Sequence, residues 1–292
     1  MHVSRTTEPT DRRRPGRVRR SPTPAESRPP SMLLGASLLA GNANVIMQLA
    51  HPAVGHGVVE SAVTSGQLSR HPVKRTRTTL TYLAVSTMGS AEERHAFRRA
   101  VNRQHARVRS GESSPVRYNA FDHDLQLWVA ACLYKGIEHT REAFGMPLTG
   151  AHAEAVYRHA ARLGSTLQVP EDRWPEDRDA FERYWKQGVE RISLDETVRA
   201  HLLHLTGLGF LPVPLRRVFG PANRFLTTGF LPQRFREELG LAWGPRQQRR
   251  FDRLTAAVGA VVRNSPRRVQ EFPHNVLLRD MRRRIRTGKP LV

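Results

Sequence analysis

The chain has 292 residues, 39 % of them hydrophobic, which is enough for a sizeable core in one large domain. Its 47 Lys and Arg against 26 Asp and Glu give a net charge of +21, which is compatible with a nucleic acid or an anionic membrane as partner. The single cysteine, Cys132, excludes an internal disulfide and a cysteine metal site. Because much of the excess charge is arginine at the two ends, and arginine usage also follows genomic GC content, we do not expect a specific nucleic-acid partner.

Residues 1–30 contain eight arginines, several Pro, Ser and Thr, and almost nothing to bury. This composition predicts a disordered basic tail ahead of a helical domain over residues 31–292. Arg12–Arg14 and the apolar stretch Met32–Gly41 superficially resemble a twin-arginine export signal, but Pro and charge separate them and no cleavage point follows. No other segment reaches the apolar length of a membrane span. We therefore expect a cytoplasmic protein without a transmembrane segment.

The pattern becomes helical from Met32 onward. Met32–Ala50 is predicted as one helix that breaks at His51–Pro52, because the residue before a proline is disfavoured in helical conformation and proline fits the first turn of a new helix. Arg75–Met88 is predicted as the next long helix, with Thr79 one turn after Arg75 on the same side.

A further helix is predicted to begin after Ser90, whose spacing to Glu93, three residues later, predicts a capping box. Its apolar positions recur at spacings of four, four and three residues and share one face: Phe97, Val101, His105 and Val108. Arginines occupy the opposite face. His105 is therefore predicted to point inward with the hydrophobic side chains.

The rest of the chain continues the helical pattern. Leu125, Trp128 and Cys132 form an inward stripe, which predicts a buried structural thiol. Later helices are predicted over Thr149–Leu163, Asp177–Arg191, Leu194–Leu205, Gln233–Leu239 and Pro245–Arg263. The Gly- and Pro-rich stretch Gly207–Pro232 suits an irregular packed connection or a lid. No alternating period of two is long enough for a sheet, so we expect an all-α fold.

His105 has two interpretations. An inward histidine often bonds only a backbone carbonyl in the core. A buried imidazole is also neutral, which is the form that ligates iron, and a haem needs one such ligand with apolar walls and cations for its propionates. Arg75 is a candidate cation, and Thr79 a candidate hydroxyl donor to a bound ligand or propionate. Without haem, Arg75 is a solvated helix-terminal charge and the Thr79 hydroxyl bonds the preceding turn.

Other constellations are weaker. Glu92 and His95 form one Glu-x-x-His pair where a di-iron bundle needs two. His201 and His204 stand three apart but have no third ligand of suitable spacing. The sequence has no Gly-x-Ser-x-Gly elbow and no phosphate-binding glycine loop of standard spacing. The run 122–124 is better suited to capping the following helix than to a triad.

Several segments together resemble the MpaB-type oxygenase family, whose catalytic domain is shared with latex-clearing protein (rubber oxygenase). Their order and rough separations agree over most of residues 32 to 265. The segments are Gln48–Gly57, Arg75–Leu80, Val101–Gly111, Tyr118–Trp128, Phe181–Trp185 and Leu231–Trp243.

The resemblance implies an all-α fold with a globin-like core, a b-type haem, and dioxygen-dependent attack on hydrophobic, often isoprenoid, substrates. It makes His105 the proximal iron ligand, and Arg75 and Thr79 match the Arg and Thr of the family's preceding helix. Latex-clearing proteins carry a Lys just before that Thr. Here the position holds Thr78, and Lys74 is out of register. The resemblance therefore does not imply rubber as the substrate. His51–Pro52 is a further signature, for which the helix break suggests a place in the pocket lining.

The sequence thus predicts a haem-dependent oxidoreductase that uses dioxygen or peroxide on an apolar small molecule. The alternative is a non-catalytic helical protein that binds an apolar ligand or an anionic partner.

Overall fold

The computed structural model describes residues 32–61 and 72–292, and these ranges are helical apart from their connecting turns and loops. The α-helices are α1 (Gly41–Leu49), α2 (Pro52–Val59), α3 (Pro72–Met88), α4 (Ala91–His105), α5 (His123–Ala143), α6 (Gly150–Ser165), α7 (Arg178–Glu190), α8 (Glu196–Thr206), α9 (Val213–Phe230), α10 (Gln233–Leu239), α11 (Pro245–Arg263), α12 (Arg267–Gln270) and α13 (His274–Arg286). Gly35–Ala40 and Glu171–Arg173 are short 3-10 helices. In the described ranges, β pairing is limited to an isolated bridge between Arg109 and Asn119. The predicted all-α single-domain fold is confirmed. The predicted tail over residues 1–30 lies outside the described residues.

Helix α5 runs through the centre of the molecule. Its buried residues occur on nearly every side of the helix, as expected for a helix that other elements surround. α1, α6, α11 and the 3-10 helix Gly35–Ala40 pack around it. The Asp122 carboxylate caps its first turn by accepting hydrogen bonds from the backbone N–H groups of Asp124 and Leu125, as predicted from the run 122–124. Cys132 is fully buried in this helix, which confirms a structural thiol, and burial raises its pKa.

Stacked indole rings hold α7 against α5. The ring of Trp128 lies 5.3 Å from that of Trp185, with 8° between the planes. The Trp128 Nε1–H donates to the Gln48 carbonyl oxygen at 3.1 Å, which ties α5 to α1. Gly188 leaves room for this stack, since a Cβ there would lie 2.4 Å from the Trp128 ring.

α3 and α4 form a hairpin that positions the site described below. Ser90 and Glu93 make the predicted capping box at the start of α4. α4 ends at His105, so Val108 lies beyond the helix although it keeps to the same side of the molecule. α13 packs along α3, and the Arg282 guanidinium donates two hydrogen bonds to Glu93, one of 2.7 Å and one of 3.2 Å. The sequence patterns did not predict α13 as a helix.

Two predicted elements differ from the structure. Met32–Ala50 is not one helix, because an extended segment and the 3-10 helix precede α1. A Cβ at Gly35 would collide with the carbonyl of Phe272, so the backbone of this segment packs directly against the backbone at Phe272. The predicted irregular connection or lid over Gly207–Pro232 is wrong, since most of it is the 18-residue helix α9.

α9 accommodates its prolines at positions where their cost is small. Pro214 lies in the first turn, where its missing N–H would have no intrahelical partner. Pro221 lies inside the helix on an exposed turn. Within the described ranges, no helix combines the length and the apolar character that crossing a bilayer requires.

Candidate functional site

A cavity of about 270 Å³ lies where the first five α-helices meet, and the loop before α5 completes its wall. Its lining is mainly apolar and includes Leu49, Val58, Phe97, Val101, Val108 and Leu133. A cavity with such walls, and with a few polar groups directed into it, is typical of a site for a small apolar ligand or cofactor.

His105 lines this cavity from the last position of α4. Burial, and after it the positive charge of Arg75, lowers the pKa of His105 to about 4, so the imidazole is neutral at pH 7. Its Nδ1 is buried without a hydrogen-bond partner among the described residues. The ring has an edge-on contact with Phe121, with 6.4 Å between centroids. The prediction that His105 merely bonds a core carbonyl therefore finds no support in the described part of the chain.

Arg75 and Thr79 line the same cavity from α3, so the structure brings together all three predicted site residues. Part of Arg75 is exposed to solvent, but burial lowers the pKa of its guanidinium, so the charged end of the side chain is surrounded by protein. Thr78 contributes to the lining too, but its hydroxyl donates to the Lys74 carbonyl oxygen at 3.0 Å. No such bond to the described residues occupies the Thr79 hydroxyl, so this group is free to serve a ligand.

A charged network that the sequence patterns did not predict lies beside the cavity. His56 is buried in α2 and bonds two carboxylates, with its Nδ1 2.6 Å from Glu60 Oε1 and its Nε2 2.6 Å from Asp195 Oδ2. Because ionised carboxylates only accept hydrogen bonds, both ring nitrogens must donate, which requires the imidazolium form. Burial alone would lower the pKa of His56, but the two carboxylates outweigh it and the pKa is raised.

The network reaches the cavity through Tyr118. The Tyr118 hydroxyl donates to Glu60 Oε2 at 3.0 Å, and its ring is part of the cavity wall. Burial and the Glu60 carboxylate raise the pKa of Tyr118 to about 12, so the phenol keeps its proton at pH 7. Asp195 also caps α8, accepting from the Val198 N–H at 2.8 Å. The network therefore fixes α2, α8 and the loop that carries Tyr118 to one another.

The geometry of this cavity agrees with a sequence match to a known domain. The family model described as "ER-bound oxygenase mpaB/B'/Rubber oxygenase, catalytic domain" matches residues 31–260. The chain belongs to this family. The match spans all the α-helices that line the cavity, together with Arg75, Thr79 and His105.

Relatives and solved structures agree with this membership. Two uncharacterized proteins, from Mycobacterium tuberculosis and Mycobacterium bovis, are each 51 % identical over 255 residues, which is 87 % of this chain and the whole length of each relative. Latex clearing protein in its closed state superposes with a TM-score of 0.51 at 16 % identity, over 85 % of this chain and 68 % of that chain. At this identity the likeness shows a shared fold, and it is consistent with the predicted globin-like core.

The family signature His51–Pro52 forms the predicted break between α1 and α2. Gln48 and Leu49 before the break and Ala53 after it line the cavity, but His51 itself does not. The His51 ring lies 6.2 Å from Trp128, with its Nδ1 buried and unpaired among the described residues. His51 therefore lies behind the cavity wall. The prediction that this signature lines the pocket holds for the adjacent residues Leu49 and Ala53 and not for His51 itself.

The other metal-site hypotheses gain no support. Glu92 and His95 are exposed at the start of α4. His201 and His204 lie on α8 without a third ligand, and the described residues hold no group of three or more His, Cys, Asp or Glu placed to bind a metal ion. A cofactor metal with a single protein ligand remains compatible with the cavity at His105.

Proposed function

We propose that the chain is a haem-dependent oxygenase that acts on a hydrophobic small molecule such as an isoprenoid, with His105 as the proximal ligand of a b-type haem. One observation supports this above the others: His105 is neutral, faces the apolar cavity, and has a buried Nδ1 with no hydrogen-bond partner among the described residues. A buried polar ring atom without a hydrogen-bond partner destabilises the fold unless a ligand bonds to the ring.

The residues present fit a haem. The neutral imidazole is the iron-binding form, the lining supplies apolar contact for a porphyrin, and Arg75 in the lining offers a cation to a propionate. Family membership adds an oxygenase catalytic domain over residues 31–260.

When bound, the haem would supply iron for dioxygen activation, which the side chains of this chain cannot supply themselves. His105 would hold the iron, and Arg75 would orient the cofactor by its charge. The free Thr79 hydroxyl would donate a hydrogen bond into the cavity, while Val101, Leu133 and the other apolar walls exclude water and hold the substrate. The resemblance puts Thr78 where latex-clearing proteins carry a Lys, and the Thr78 hydroxyl is already bonded to the backbone.

The test is the absorption spectrum of the full chain reconstituted with haemin. We expect an intense band near the blue edge of the visible, which H105A loses and H95A retains. His95 is a matched control because it lies on the same helix and is exposed. H105G should regain the band when imidazole is added, since free imidazole can occupy the vacated space.

Two outcomes would contradict the proposal. A wild-type chain that stays colourless after reconstitution excludes the haem. An H105A variant that keeps the wild-type spectrum excludes His105 as the ligand. If the chain stays colourless but binds a fluorescent apolar probe, and substitution of Val101 weakens that binding, the protein is the non-catalytic binding protein of the alternative hypothesis.

A further inference from the structure

The first two turns of α9 project from the molecule. Every residue of the segment 212–219 is exposed, although four of its side chains are large and apolar: Val213, Leu215, Val218 and Phe219. Val218 is 68 % exposed and Phe219 53 %. Contiguous exposed apolar surface of this kind marks an interaction site in a folded protein.

The helix is held to the domain by its second half. Gly220, Thr227 and Phe230 are buried, and Gly220 lies close to the carbonyl of Gly207. The seven helical residues of the exposed segment cover about two turns, so its side chains point in every direction around the axis. Leu215, Val218 and Phe219 follow at spacings of three and one and share one side.

Arginines lie on the remaining surface of the same helix, toward α8. Arg216, Arg217 and Arg224 belong to α9, which contains no acidic residue, and none of the three forms a salt bridge with the described residues. Together with His204 they line a groove of about 580 Å³ between α9 and the end of α8. The groove is thus a concentration of unneutralised positive charge directly beside exposed apolar side chains.

We propose that this segment, residues 212–219 with the adjoining groove, docks the protein on the surface of an anionic phospholipid bilayer. Leu215, Val218 and Phe219 enter the boundary between headgroups and acyl chains, and the arginines extend toward headgroup phosphates. An apolar side with arginines on the rest of the helix surface is the arrangement of a helix lying in a membrane interface. Docking is independent of haem and of the proposed oxygenase activity.

Charge favours an anionic lipid surface as the occupant, because a bilayer offers many headgroup phosphates to arginines that form no salt bridge with the described residues. A second copy of the chain, related by two-fold symmetry, would bring Arg216 and Arg217 of both copies into one interface, with no acidic residue of α9 to neutralise them.

Flotation of the full chain with vesicles tests the role of charge. Vesicles of phosphatidylcholine are compared with vesicles of equal parts phosphatidylcholine and phosphatidylglycerol, and we expect binding only to the latter. R216Q/R217Q should lower the partition coefficient by roughly twenty-five-fold, taking about fivefold for each arginine near an anionic surface. R283Q/R286Q is the control for net charge, because both arginines are exposed on α13.

A fluorescent label tests insertion by the segment itself. Cys132 is the only cysteine in the chain and is fully buried, so a new surface cysteine can be labelled selectively with an environment-sensitive dye. V218C and V261C form a matched pair, since Val218 and Val261 are 68 % and 69 % exposed. With anionic vesicles we expect a blue shift and a rise in intensity for the dye at 218 and no change at 261.

Three results would overturn the proposal. The first is a dye at 218 that does not respond, or that responds as the dye at 261 does. The second is an equal loss of vesicle binding in R216Q/R217Q and R283Q/R286Q, which would reduce the effect to overall charge. The third is a V218S/F219S variant that binds vesicles like the wild type but halves in mass by light scattering, which would identify the segment as an interface between two copies.

Discussion

Arg75 on α3 and His105 on α4 line the same cavity. Burial and the positive charge of Arg75 together lower the pKa of His105 to about 4. The same cation therefore has two effects in the proposed site. It lowers the pKa of His105 further than burial alone does, and it offers a positive charge to a cofactor propionate.

Substitution of Arg75 separates these effects. In R75Q without cofactor, we expect the pKa of His105 to rise but to stay below 6.5, because burial is the larger cause of its lowering. R75K should leave the pKa near the wild-type value. The measurement is a titration of the His105 ring by NMR, with R99Q, an exposed arginine of α4, as control. A pKa in R75Q equal to that of the wild type would contradict the coupling.

The His56 network predicts a loss of stability on the alkaline side. The pKa of His56 is raised in the folded state, so its contribution is complete below the unfolded value near 6.5 and is lost as pH rises through the folded value. The lowered pKa values of Glu60 and Asp195 act oppositely, since their contribution is lost as the solution becomes more acidic than their unfolded values. Stability from this network is therefore greatest between these two ranges.

H56Q should remove the alkaline part of this dependence and cost about 3 kcal/mol at pH 6, because two charge-assisted hydrogen bonds are lost. Urea unfolding at a series of pH values measures both quantities. H152Q is the control, since His152 is an exposed residue of α6. An H56Q curve parallel to that of the wild type above pH 6.5 would show that His56 does not carry the effect.

Gly188 and Gly41 form a contrasting pair for packing. G188A forces a Cβ into the Trp128 ring, which is stacked on Trp185 and bonded to Gln48, and we expect it to cost about 1–3 kcal/mol. At Gly41, in helical conformation, an added Cβ meets nothing within 4 Å, so G41A should be neutral or stabilise by about 0.5–1 kcal/mol. Denaturant unfolding of both variants gives the free energies. Equal effects would argue against the close approach at Gly188.

What the sequence could predict depended on the distance along the chain between interacting residues. The Ser90–Glu93 capping box, the break at Pro52 and the Asp122 cap rely on contacts within a few residues, and all three were confirmed. The inward direction of His105 followed from helical periodicity in the same way. That Arg75 and Thr79 share its cavity followed from the family resemblance, since no local pattern joins α3 to α4.

Local sequence patterns could not predict contacts between residues far apart in the chain, nor that a proline-rich segment is helical. The spacing of His56 and Glu60 was visible as an i, i+4 pair, but Asp195, 139 residues away from His56, becomes a partner only when α8 packs on α2. Pro214 and Pro221 suggested an irregular connection, yet proline in a first turn or on an exposed turn leaves a helix intact when its far half is packed. Tertiary packing decided both cases.

Thr78 and Thr79 are adjacent, yet we expect removal of the hydroxyl group to have a different effect at each position. Thr78 already donates to the Lys74 carbonyl oxygen, whereas Thr79 has no such bond to the described residues and lines the cavity beside it. If the Thr79 hydroxyl serves a ligand at the proposed iron, T79V should shift the C–O stretching frequency of the carbon monoxide complex of the reduced, haem-loaded chain. T78V should leave that frequency unchanged, because its hydroxyl points to the backbone. Because both substitutions keep the shape of the side chain, a shift in T78V as large as that in T79V would mean that helix position, and not the free hydroxyl, governs the environment of the ligand.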